Sequence, residues 1–193
     1  ITWGTTQFPE IKEIEIYMEG ERLTKMPLAN TPIPATLNRK LGINHFESAS
    51  SSLSDAQTIL VYYTKKIDNT LYYVPKSKRI IGDPNDMETI VNEVLKDVSA
   101  STKLSAPLYE EHIEPTDLPR REDQTLIVNM SNTLLDSDRC AKVHAYEALV
   151  LSLAGNFDVD EVAIYVDDQV VSLHGSNEET VSVSSLHYNP IPF

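Results

Sequence analysis

The sequence has a single cysteine, Cys140, among 193 residues. One thiol excludes an intramolecular disulfide and a cysteine-rich zinc site. No His or Asn constellation accompanies it, so it is expected to be a small core residue on an amphipathic helix. A chain without disulfides suits the cytosol, or an exported bacterial protein that does without them. Glycine is scarce, with six residues. Strained catalytic loops need it, and no G-x-S-x-G elbow, glycine-rich phosphate loop or H-E-x-x-H run is present. The five histidines, His45, His112, His144, His174 and His187, include no pair at metal-ligand spacing. His144 is expected to be satisfied in or near the core. Basic residues are few, 16 against 29 acidic ones, for a formal net charge of −13. Phosphate binding rests on clustered Lys and Arg, so nucleic acid is not an expected partner. An anionic membrane surface is disfavoured for the same reason. Long apolar runs are also missing. The most apolar stretch, residues 148–154, is far short of the ~20 residues of a membrane helix. No signal peptide is visible, and the chain starts at Ile1, so it is expected to be a fragment or a processed form.

What the sequence does have is 41% hydrophobic residues, enough for a core, arranged in readable periods. Residues 138–173 organise the rest. Asp136, Ser137 and Asp138 are candidate helix caps. Val143, Tyr146, Leu149, Val150 and Leu153 recur at helical spacing, and Gly155 is expected to stop the helix. The period then drops to two, with Val162, Ile164 and Val166 on one face. Asp167 and Asp168 turn the chain into a return strand over residues 169–173.

The N-terminus repeats this design. TQFPEIKEIEIYMEGE (residues 6–21) lines up with NFDVDEVAIYVDDQ (residues 156–169). Phe8 matches Phe157, Ile11 matches Val159 after a one-residue gap, and Ile14, Ile16 and Met18 match Val162, Ile164 and Val166. Glu19 and Gly20 stand where Asp167 and Asp168 turn the second copy. The expected organisation is therefore the hairpin tail of a truncated first domain over residues 1–28 and a linker over residues 29–56. A complete second domain then covers residues 57–175, and an extended, proline-marked tail residues 176–193. Trp3 is a candidate core contact. TLNRKLGIN (residues 36–44) is more specific than a generic linker and is expected to dock on a domain, and the serine-rich residues 48–54 form the joint.

The second domain opens with strands at residues 58–63 and 70–74 across the turn Asp68-Asn69. Asp83, Pro84 and Asp86 announce a helix that buries Ile90, Val91, Val94 and Leu95 and runs to about residue 100. Residues 101–123 lack a pattern and are expected to be loop with one short strand. Residues 124–130 alternate as a strand. Tyr62, Tyr63, Tyr72 and Tyr73 lie on paired strands, Tyr62 with Tyr72 and Tyr63 with Tyr73 if the register allows. They serve either cross-strand packing or a protein contact. The element order gives an α+β fold, a small sheet packed under two helices. Asp158 and Asp160 alternate like calcium ligands but lack the glycine-bearing loop, so neither metal nor cofactor is expected.

The pattern ILVYYTKKIDNTLYYVPKSKRI (residues 59–80), with the helix and helix-hairpin that follow, resembles the germane domain of endospore-forming bacteria. The stretch TPIPATLNRKLGIN (residues 31–44) is similar to the joint between the two domains of the family's tandem members. That resemblance implies a fold like the ring-building motifs of secretion-system rings and no catalytic residues. It also implies an extracytoplasmic lipoprotein facing the space between mother cell and forespore. Its partners would be other sporulation envelope proteins and possibly itself, and the membrane would be reached only through an upstream lipid anchor outside this chain. A related use is the extracytoplasmic sensor part of anti-sigma factors, and a small-ligand or peptidoglycan-binding domain is a further alternative. For an assembly module the candidate contact residues are the acidic Asp158, Asp160, Asp167 and Asp168 and the basic Arg39, Lys40, Lys76, Lys78 and Arg79.

Overall fold

The structure, a computed structural model, describes residues 1–43 except 7, 9, 29 and 31, residues 56–96 except 82, 84 and 85, and residues 103–173, 180–182 and 186. Residues 40 and 56 are described in backbone only. The serine-rich joint, residues 97–100 of the expected helix and most of the tail lie outside the described residues; that helix already ends at Leu95, with Lys96 extended. The chain divides into two units, Ile1–Ile43 and Asn44–Phe193. The boundary thus falls within the expected linker, and residues 36–43 belong to the first unit.

In the first unit, helix α1 (Thr2–Thr5) precedes the hairpin of β1 (Tyr17–Met18) and β2 (Glu21–Arg22). Glu19 and Gly20 carry φ of 54° and 87° at the turn, the left-handed geometry that matches hairpin twist. Leu37 returns to pair with Ile14 through two backbone hydrogen bonds of 2.9 Å and is buried. The Trp3 indole donates to the Gly42 carbonyl at 3.2 Å, and the Arg39 guanidinium sits 4.8 Å from the Trp3 ring centroid. The expected strand at residues 11–18 is thus only two residues long plus one bridge. Among the described residues it is paired along one side only.

In the second unit a long ribbon forms first, β3 (Ala56–Ile67) against β4 (Thr70–Ile81). The register pairs Tyr62 with Pro75 and Tyr63 with Val74. Cross-strand partners share a face, so Tyr62 lies with Tyr73 and Tyr63 with Tyr72, the reverse of the expected pairing. Helix α2 (Met87–Leu95) is capped by Asp86, whose carboxylate accepts from the Thr89 amide at 3.2 Å and hydroxyl at 2.6 Å. It buries Ile90, Val91, Val94 and Leu95, the expected stripe. Short helix α3 (Pro107–Glu110) leads to the sheet of β5 (Arg120–Glu122) and β6 (Thr125–Asn129). Helix α4 (Val143–Phe157) crosses over to β7 (Glu161–Val166), which lies parallel to β6. Strands β8 (Gln169–Val170) and β9 (Val181–Ser182) then pair antiparallel with β7.

Helix α4 is the centre of the core. Nine of its residues between Ala145 and Ala154 are buried, on more faces than the single expected stripe. Tyr146, Leu149 and Leu153 belong to that stripe, and the Tyr146 hydroxyl donates to the Val171 carbonyl at 3.0 Å. A second face of the helix meets β3. Ser152 Oγ accepts from the Tyr62 amide at 2.9 Å. Asn156 accepts from the Leu60 amide at 2.8 Å and donates to the Leu60 carbonyl at 2.7 Å. Helix side chains therefore take up main-chain groups on one edge of the ribbon, a known way to protect a strand edge. Gly155 does not end the helix, which continues to Phe157 with Asp158 as a left-handed cap at φ 49°. A Cβ at Gly155 would stand 3.0 Å from Leu60 Cδ2, so the glycine allows helix and strand to approach.

At the other end of α4 the aspartates expected as caps do other work. Asp136 Oδ1 accepts from the Asp138 and Cys140 amides, both at 2.9 Å, and closes a loop before the helix begins. Lys142 is the N-cap and makes no side-chain cap bond. Cys140 is exposed, not a core residue.

Candidate interaction surfaces

Asp158, Asp160, Asp167 and Asp168 are all exposed. The fold splits them into two pairs. Asp158 and Asp160 precede β7 and Asp167 and Asp168 follow it, so the pairs stand roughly 20 Å apart along the strand. At the first end, Arg121 donates to the Phe157 carbonyl at 3.0 Å and places a cation at the C-terminus of α4. At the second end, Arg139 and Asp167 form an ion pair at 3.3 Å, with side chains 63% and 62% exposed. At that exposure the pair contributes little stability. Asp167 and Asp168 occupy left-handed φ of 52° and 60°, which aspartate tolerates better than most residues.

The basic set is divided between the two units. Arg39 and Lys40 lie in the first unit, and Arg39 is exposed while bonded through Nε to Thr6 Oγ1 at 3.1 Å. Lys76 and Lys78 in the second unit are 6% and 5% exposed, which removes them from the contact surface expected for them. Both lie on the ribbon face that carries Tyr63 and Ile80, in the core. Lys76 Nζ is 5.5 Å from the Tyr63 ring centroid, a cation–π distance. Lys78 Nζ meets Glu93 Oε2 at 2.6 Å and the Glu93 carbonyl at 3.0 Å, joining β4 to α2. Burial pushes the Glu93 carboxyl up, but the bonds from Lys78 and Lys96 outweigh it and hold the group below its usual range. Arg79, on the opposite face of β4, is half-buried.

Two further clusters escaped the sequence reading. The Tyr73 hydroxyl donates to Glu147 and lies 3.2 Å from His144 Nδ1, tying β4 to α4. Burial, then the bond to Glu147, pushes the Tyr73 phenol far up, so it stays protonated and serves as a donor. His144 is on the surface, not in the core. The second cluster is a groove of about 510 Å³ between α2 and residues 109–119, lined by Tyr109 and His112 among others. Residues 101–123 gave no periodic signal, so nothing in the sequence pointed to it. Among the described residues, no three or more His, Cys, Asp or Glu side chains gather as for a metal ion, and no helix is long and apolar enough to cross a membrane.

Comparison with known proteins fits this architecture. The profile of the Germane family, described as sporulation and spore germination, matches residues 60–172. The spore germination protein GerM of Bacillus subtilis (strain 168) is 30% identical over 172 residues, covering 86% of this chain and 47% of GerM. The chain therefore spans about half the length of that curated relative. The solved structure of the tandem GerMN domains of the sporulation protein GerM from Bacillus subtilis aligns with a TM-score of 0.81 at 27% identity. That alignment covers 94% of this chain and 64% of the solved one. The α+β fold is thus that of a GerMN domain, and with a profile match across more than half of its length the chain belongs to the Germane family.

Proposed function

We propose that the chain is a non-enzymatic interaction and assembly module of the sporulation apparatus. In this reading it is the extracytoplasmic part of a lipoprotein that supports the complex joining mother cell and forespore, with the lipid anchor outside this chain. The observation that supports it most is the match to the Germane family, described as sporulation and spore germination, beside an exposed acidic turn at Asp167 and Asp168. Head-to-tail contact between unlike faces is the packing that builds rings, and exposed charges such as Asp167 and Asp168 would steer it while adding little affinity.

The test is complementation of a deletion strain. Asp167→Asn with Asp168→Asn keeps the left-handed turn, which asparagine also adopts, and removes both charges. Asp167→Lys with Asp168→Lys reverses them at the cost of some turn strain. Impaired spore formation in both, with normal folding of the asparagine form, supports the assembly reading. Normal spores and normal localisation in both would remove this turn from the functional surface.

A further inference from the structure

The groove between α2 and residues 109–119 carries chemistry of its own. Its floor is apolar, with Val91 and Leu95 from α2 and Ile113, all buried. One wall is the Tyr109 and His112 rings, stacked with centroids 6.3 Å apart at 17°. Pro115 and Pro119 also line it. At about 510 Å³ it lies within the range of ligand sites. Tyr109 is 56% exposed although the residue before it, Leu108, is 3% exposed, so the fold anchors the turn and leaves the ring to solvent.

The carboxylates lining the groove outnumber its one lysine. Lys96 is held by Glu93 at 2.7 Å. Glu88 and Glu114 also line the groove, both are exposed, and among the described residues neither carboxylate has an ion-pair or hydrogen-bond partner. With a chain charge of −13, an anionic occupant is repelled and a cationic one attracted. The face of Tyr109 is a further site for a cation. Flat aromatic and proline surfaces suit an extended polyproline-type chain, which needs no backbone hydrogen bonds from its receptor.

We propose that this groove binds an extended, proline-containing segment of a partner protein that carries an arginine or lysine. The groove shares no residue with the charged turn or with the first unit, so this proposal and the assembly reading fail separately.

The experiment is an NMR titration of the isotope-labelled chain with three probes. These are a synthetic Pro-Leu-rich peptide with one arginine, the same peptide with glutamate in its place, and chitotetraose. The expected result is saturable shifts at Tyr109, His112 and Ile113 with the arginine peptide and binding about tenfold weaker (roughly 1.4 kcal/mol) with the glutamate one. Tyr109→Ala should weaken the arginine peptide by about tenfold, as central aromatic anchors do. Glu88→Gln with Glu114→Gln should weaken it several-fold and flatten its salt dependence. Equal binding of the two peptides, an unaltered affinity in Tyr109→Ala, or no saturable shift at the groove would overturn the proposal. Shifts there with chitotetraose alone would overturn it in favour of a glycan site.

Discussion

The contact between α4 and β3 gives the sharpest prediction. Ser152 is fully buried, and its hydroxyl accepts the Tyr62 amide at 2.9 Å while donating to the Ala148 carbonyl at 2.6 Å. Ser152→Ala keeps the volume nearly constant and improves helix propensity, so packing and propensity predict no loss. Removing the acceptor of a buried amide bond instead costs about 1–3 kcal/mol. Asn156→Ala removes both bonds to Leu60, at 2.8 and 2.7 Å, and should cost about 2–4 kcal/mol at a half-buried site. Asn156→Asp keeps the acceptor for the Leu60 amide but sets a carboxylate against the Leu60 carbonyl, so it should be no better than alanine. Urea unfolding followed by circular dichroism measures each variant. The double alanine variant tests coupling, because both side chains hold one strand edge and should not be strictly additive. A loss below ~0.5 kcal/mol for Ser152→Ala, with Asn156→Asp equal to wild type, would show that these bonds do not hold the edge.

Three other changes follow from the packing. Ile164 is 1% exposed in the sheet core, and Ile164→Ala should cost about 2–5 kcal/mol in urea unfolding. Glu93→Gln leaves the buried Lys78 without its carboxylate and should cost about 3 kcal/mol near neutral pH, the lower end for breaking a buried pair, since Glu93 is 22% exposed. The Glu93 carboxyl is depressed below 4.5 in the folded chain, so its stabilisation is complete above that pH and fades as pH falls further. Wild type and Glu93→Gln should therefore converge in acid, and a constant difference down to the acid transition would contradict the pair. Gly155→Ala gains up to about 1 kcal/mol of helix propensity and moves only the mobile end of Leu60, so it should change the unfolding free energy by less than that gain. Gly155→Val should be clearly destabilising, and a tolerated valine would mean that α4 and β3 do not approach so closely.

The elements most legible in the sequence were those whose local rules act alone. Helix α2 has its Asp86 cap and its four-residue apolar stripe where the pattern puts them. Both hairpin turns also follow, because Glu19-Gly20 and Asp167-Asp168 are residue pairs that accept left-handed backbone. What the sequence hid depends on partners distant in the chain. The β3-facing side of α4 is made of Ala148, Ser152, Gly155 and Asn156, which carry little hydrophobic signal, and a glycine in a close approach looks the same as a glycine at a helix end. Lys76 and Lys78 look like surface charges until Tyr63 and Glu93 are placed beside them, and long aliphatic stems allow such burial. The groove was invisible because residues 101–123 have no period and its walls come from a turn, two prolines and another helix.

The internal repeat separates what a hairpin encodes locally from what the rest of a domain adds. Met18 pairs with Glu21 as Val166 pairs with Gln169, and Tyr17 with Arg22 as Tyr165 with Val170. The Leu23 amide donates to the Ile16 carbonyl at 2.8 Å, as the Val171 amide does to Ile164 at 2.8 Å. The likeness extends beyond the aligned residues. Leu37 returns to pair with Ile14 and Val181 to pair with its counterpart Val162, after connections of different length. Two stretches of modest identity thus reach one register, so turn chemistry and alternation suffice to set it. They do not set burial: Met18 is 54% exposed where Val166 is 1%. Fully burying such a side chain is worth about 1.5–3 kcal/mol, and a two-stranded hairpin alone is marginal in water. The second unit gains that term from α4 and its neighbouring strand. Whatever covers the face of Ile14, Ile16 and Met18, the rest of its own domain or another chain, gains the same term.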